Sequence, residues 1–173
     1  MAIVVLIPGP LGRRLAALRR RLGVEEGASP PAHILLVGPF HAEPPFLPLE
    51  QHCWRVCHET APFDIEPGPL RLDAGERLVY AEIASGSEQL VGLREALLTG
   101  DSAPRPDDTA YTLRAVVARL DRSDDIAPAE REIAGVVTDA PFFLERVELM
   151  TQYPDGTWYE RDFYTLDRAV TPA

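Results

Sequence analysis

Short apolar runs closed by glycine and proline set the strongest limit on what this chain can fold into. Ala2–Ile7 is ended by Pro8-Gly9-Pro10, and His33–Val37 by Gly38-Pro39. Runs this short, bounded by helix breakers, read as buried strands. Between them Leu11, Leu15, Leu18 and Leu22 recur at helical spacing, arginines fill the other face, and Gly23 stops the helix.

The same alternation continues to the C-terminus. Leu49, Cys53, Val56 and Cys57 mark a second helix, from near Pro48 to before Pro62. Phe63–Leu72 and Arg77–Ala84 read as a hairpin about Asp73-Ala74-Gly75, with Pro67 and Pro69 forcing an edge or a bulge in the first strand. Ser87 is placed to cap a helix striped by Leu90, Leu93, Leu97 and Leu98, and Gly100 ends it. Asp101–Asp108 reads as a loop, Tyr111–Leu120 as a strand and Ala127–Asp139 as a helix. Phe142–Tyr153 and Trp158–Leu166 read as a terminal hairpin. Interleaved helices with hairpins predict an α+β fold in which a unit leading to His33 is echoed by one leading to Arg114. A pseudo-twofold axis would set those two strands side by side across a groove.

Composition narrows the partners. Twenty-seven acids face 17 bases, a formal charge of −10, which weighs against long nucleic acid and leaves room for a small anionic ligand held by local donors. No apolar run approaches the roughly 18–20 residues that span a bilayer. Ala2–Ile7, lacking a basic leader, reads as a strand and not a signal peptide. Two cysteines four residues apart on a helix lie too far from each other for a disulfide. They are expected to be free thiols in a reducing, cytoplasmic compartment.

Alternation along a strand puts His33 and Leu35 on one face of the first strand. It likewise puts Arg114 and Val116 on one face of the second, with Arg119 opposite as ordinary surface. The run His33-Ile34-Leu35-Leu36-Val37-Gly38-Pro39-Phe40 resembles the first motif of the 2H phosphoesterase superfamily, which includes the 2′-5′ RNA ligase-like proteins. There the motif reads His-x-Thr, then apolar residues and often Pro-Phe. Arg114-Ala115-Val116-Val117-Ala118-Arg119-Leu120 stands where the second His-x-Thr motif would be. Ala61-Pro62-Phe63, Val147-Glu148-Leu149 and Gly156-Thr157-Trp158 are also similar, so the resemblance covers nearly the whole chain.

It implies one domain over residues 1–173 built as two interleaved lobes: two antiparallel-rich sheets, helices outside and a central cleft. It also implies chemistry that uses no cofactor and no metal. Active members flank a phosphodiester with two histidines, one as base and one as acid, while two threonines hold the phosphate oxygens. Here His33 remains, Leu35 and Val116 replace the threonines, and Arg114 replaces the second histidine. Arginine cannot act as a base, but it can clamp an anion. Three readings stay open. The cleft binds a small anionic nucleotide or phosphoester without cleaving it, cleaves a phosphodiester with His33 as sole acid–base group, or serves other small-molecule chemistry. Oligomeric state is left open.

Plainer readings accompany these. Arg114 could pair with Glu82, Glu148 or a similar acid. The first-helix arginines read as a solvated face. Tyr80, Tyr111, Tyr153 and Trp158 are candidates to line the groove, though strand packing accounts for them equally. In His52-Cys53-Trp54-Arg55-Val56-Cys57-His58 the cysteines read as core rather than as zinc ligands.

Overall fold

The computed structural model describes residues 1–106, 111–121, 126–138 and 140–167. In chain order the elements are β1 (Ala2–Leu6), α1 (Gly9–Arg21), β2 (His33–Val37), α2 (Leu47–His58), β3 (Phe63–Asp73), β4 (Leu78–Ser85) and α3 (Ser87–Leu97). Then come β5 (Ala115–Arg119), α4 (Ile126–Ala134), β6 (Phe142–Leu144), β7 (Arg146–Gln152) and β8 (Trp158–Thr165). The fold is α+β, with strand order β6-β3-β4-β5-β2-β1-β7-β8 and every pairing antiparallel. The two sheets expected from the sequence meet at β2 and β5. His33 opposite Val116 and Ile34 opposite Ala115 join them into one order. No helix among the described residues is long and apolar enough to cross a membrane.

Several boundaries differ from the sequence expectation, each for a physical reason. The run Phe142–Tyr153 is not one strand. It breaks at Glu145 so that β6 can pair with β3 and β7 with β1, on opposite ends of the sheet. The strand expected from Tyr111 begins only at Ala115, which leaves Arg114 just ahead of it. The fourth helix stops at Ala134, and Asp139 lies outside the described residues, as do 107–108 of the expected loop. Gly86, in a left-handed conformation, takes the N-cap position expected for Ser87. Pro67 does sit between two register shifts of β3 against β4, as a strand proline requires.

The internal echo is visible in the ladder. β1-α1-β2 and β4-α3-β5 occupy matching places on either side of the β2–β5 junction. Each inner strand also carries one extra residue. Ile3 opposes Val37 while Val4 opposes Leu35, so Leu36 bulges from β2. Val79 opposes Ala118 while Tyr80 opposes Val116, so Val117 bulges from β5. The two bulges fall at the same step after His33 and after Arg114.

A bulge resets the alternation of side chains beyond it. Leu36 and Val37 therefore both enter the main core, as do Val117 and Ala118. That core lies under the helices and takes Leu11, Leu15 and Leu18 of α1 and Leu90, Leu93 and Leu97 of α3. On the other face of the sheet a second, smaller apolar cluster forms from Ala2, Val4 and Met150, with Leu6, Leu35 and Trp158 packed against it.

Gly38 closes β2 where the chain passes tightly over β1. Its φ is +125°, and an added Cβ would lie 3.0 Å from the Ala2 Cα and 3.2 Å from the Met1 carbonyl oxygen. Both obstacles are backbone and cannot swing aside. Gly38→Ala is expected to lower stability by about 1–3 kcal/mol, read from the midpoint of denaturant unfolding.

Candidate functional site

A groove of about 910 Å³ runs along the helix-free face of the central strands. Its floor includes His33 and Leu35 of β2, Ala2 and Val4 of β1, and Val116 of β5. Leu22 to Glu25 and Ala28 to Pro30, from the loop after α1, form one wall. Gly75, Glu76 and Arg77 of the β3–β4 turn line it with Arg119 and Asp121, and Trp158 and Pro39 complete it. The N–H of Trp158 donates to the Gly27 carbonyl at 2.9 Å, which ties the loop wall to β8.

His33 is 7% exposed, and its Nδ1 lies 2.7 Å from the Pro31 carbonyl oxygen. A carbonyl only accepts, so Nδ1 carries the proton and Nε2 is left as the basic nitrogen. Among the described residues Nε2 has no hydrogen-bond partner. Burial pulls the imidazole down to a pKa of about 4; the Pro31 carbonyl opposes this and the nearby Arg19 charge reinforces it. At neutral pH the ring is uncharged.

Arg19 overturns the reading of the first-helix arginines as a solvated face. It is 8% exposed and reaches inward from α1. Nη1 donates to the Val117 carbonyl at 2.5 Å, and Nη2 to the Ser29 hydroxyl at 2.9 Å. The guanidinium thus satisfies the carbonyl of the bulged residue and fastens it to the loop wall. Among the described residues no carboxylate pairs with it, so its charge stays uncompensated behind the groove.

Arg114, just ahead of β5, is not among the residues that line the groove. Its guanidinium makes a two-pronged pair with Glu76, at 3.0 and 3.4 Å, and lies over the Tyr80 ring at 4.9 Å. The acid is therefore Glu76, from a turn, and not Glu82 or Glu148. Arg119 reaches the groove instead. The bulge at Val117 carries it to the face that simple alternation denies it, where it donates to the Glu76 carbonyl at 3.1 Å. Among the described residues Arg119 has no carboxylate partner.

Of the predicted site residues, His33, Leu35 and Val116 come together on the floor. Tyr80 serves as the platform for Arg114. Tyr111 donates its hydroxyl to the Leu35 carbonyl at 2.9 Å beneath Arg94, and Tyr153 is exposed and stacked on Tyr159. None of these three lines the groove. Cys53 and Cys57 are buried free thiols, His52 is held by the Leu97 carbonyl, and exposed His58 stacks on Trp54. Sequence reasoning missed Arg19, Glu76 and Arg119, and for Arg119 no local signal marks the bulge. It also missed Glu148, which is 2% exposed and accepts from the Leu6 N–H and from Arg146.

Burial raises Glu148 to a pKa of about 7 against an ordinary 4.5, although the Leu6 N–H and Arg146 pull the other way. It and His33 therefore oppose each other. The folded chain holds a proton on Glu148 that the unfolded chain releases, so this stabilisation is present below pH 4.5 and lost as pH rises to about 7. The unfolded chain protonates His33 more readily than the folded one does, so that stabilisation is present above pH 6.5 and lost as pH falls to about 4. Each is worth about 3 kcal/mol across its window. Glu148→Gln is expected to leave stability rising from about pH 4 to 6.5, and His33→Gln to leave it falling from pH 4.5 to about 7, measured by urea unfolding at stepped pH.

The fold has counterparts among solved structures. TT0787 of Thermus thermophilus superposes with a TM-score of 0.68 at 16% identity, covering 97% of this chain and 98% of its own. E. coli LigT complexed with NADP+ gives 0.65 at 11% identity, covering 96% and 97%. LigT complexed with ATP gives 0.63 at 12%, covering 96% of each chain. No curated protein sequence matches. The sequence profile of the 2'-5' RNA ligase superfamily matches residues 7–156, most of the chain. With the fold and the order of its motifs in agreement, this protein belongs to the 2'-5' RNA ligase superfamily.

Proposed function

We propose that the groove binds a small anionic ligand of phosphoester or nucleotide type without carrying out the two-histidine cleavage. One observation carries this reading: Arg119 brings to one end of the groove a guanidinium that has no carboxylate partner among the described residues, in a chain with a formal charge of −10. Arg19, buried behind the groove, adds a second positive charge near enough to act on His33, and an anion in the groove offsets the cost of burying it. LigT has been solved with phosphate, 3'-AMP, ATP and NADP+, ligands of the chemistry proposed here.

Cleavage by the two-histidine route needs a proton acceptor on one side of the phosphorus and a donor on the other. His33 Nε2 can accept. At the second motif stands Arg114, a guanidinium that is no proton acceptor and is spent on Glu76. Leu35 and Val116 give no hydroxyl to the phosphate oxygens. Arg119 therefore supplies the charge-assisted donors, and His33 accepts from a ligand hydroxyl. The free thiols fit a reducing compartment, and we take the cytoplasm as the site of action.

A second reading rests on the same unpartnered Nε2. A neutral imidazole with its tautomer fixed by the Pro31 carbonyl is competent as a lone base, which would make the chain a slow phosphodiesterase.

Calorimetry and chromatography with adenosine 2′,3′-cyclic phosphate separate the two. Binding without turnover is expected. Arg119→Ala should weaken affinity about 10- to 100-fold, the loss of one charge-assisted interaction, while Arg114→Ala changes it by no more than about threefold. Unchanged affinity in Arg119→Ala overturns the assignment of the anion site. Turnover abolished by His33→Ala establishes the second reading.

A further inference from the structure

We propose that the ligand is an amphipathic anion, with a flat apolar group lying against Trp158 and the Leu35–Val4 floor and its charged end at Arg119. The inference rests on the anion site assigned above and adds the chemistry of the rest of the molecule. The groove is divided along its length. At one end are the guanidinium of Arg119 and the turn carrying Glu76. At the other are Ala2, Val4, Leu35, Pro39 and Trp158.

The apolar end is a built surface. Ala2 and Val4 are 4% and 0% exposed, and Leu35 and Trp158 pack against them in a cluster separate from the main core. The backbone N–H of Trp158 donates to the Gly27 carbonyl, which holds the start of β8 against the loop wall, and a Cβ on Gly27, whose φ is +83°, would stand 2.9 Å from the Thr157 methyl carbon. On the floor Ala2, Val4, Leu35 and Val116 offer no side-chain hydrogen bond, and His33 Nε2 can only accept. A ligand that spread charge or hydroxyls over the apolar end would lose its water and gain no hydrogen bond in exchange, whereas an apolar ring gains by being buried there. Leu35 and Val116 change what the floor can hold: hydroxyls at these positions would serve a phosphate at the centre, and methyl groups serve carbon.

Calorimetry with phenyl phosphate and with inorganic phosphate tests this. In the wild type phenyl phosphate is expected to bind about tenfold more tightly than inorganic phosphate, the scale of one ring stacked on an aromatic side chain. Trp158→Ala should shrink that ratio and leave inorganic phosphate affinity within about threefold of wild type, and Leu35→Thr should shrink it independently by tightening inorganic phosphate through the new hydroxyl. Trp158→Phe, which keeps an apolar ring, should retain the preference if the alanine variant fails to fold. Equal affinity for the two probes, with both lost in Arg119→Ala, overturns the amphipathic ligand and spares the anion site. Binding of neither probe overturns the anion site and this inference together.

Discussion

The contact between β2 and β5 is short, and much of the site depends on it. His33 opposite Val116 and Ile34 opposite Ala115 make the junction through which one half of the sheet continues into the other. Antiparallel partners share a face. The same pairing that joins the halves therefore also sets the imidazole beside the floor of the second motif, with Ile34 and Ala115 turned together into the core. A slip of one residue would bury His33 among the leucines of the helices and expose Ile34 to the groove. The cost of that exchange holds the register.

Much of this could be read from residue order. The leucine stripes of α1 and α3, the proline and glycine closures of β1 and β2, and the irregular pairing around Pro67 all act through local geometry, and local geometry is what a sequence displays. Alternation gave His33 and Leu35 one face and Val116 a face on its own strand, and the expected pseudo-twofold axis set the two strands side by side. The place of Arg119 did not follow, because a bulge is decided by how two strands meet and not by the residues in either one. The partner of Arg114 was equally out of reach. Glu76 comes to it from a turn 38 residues earlier in the chain, and nothing in Glu82 or Glu148 disqualified them in advance. The burial of Arg19 is a third case, since its helical face was assigned by its charge while its length let it reach the Val117 carbonyl.

Arg114 stands where the resemblance to the family leads one to expect a second histidine. It carries a charge at that position but is neutralised by Glu76 and laid on Tyr80. The charge that meets the groove is displaced to Arg119, past the bulge. The first motif thus offers the groove an imidazole nitrogen, the stretch beyond the second offers it a guanidinium, and the floor between them is aliphatic at Leu35 and Val116.

The matched bulges carry a last consequence. A dyad relating β2 to β5 would present two equivalent half-sites, and a ligand could then lie in the groove either way round. Arg119 stands five residues beyond Arg114, and at the corresponding step beyond His33 stands Gly38, which has no side chain at all. The side chains thus break the symmetry of the backbone at this pair of positions, as they do at His33 and Arg114. Whatever enters has one direction in which to point.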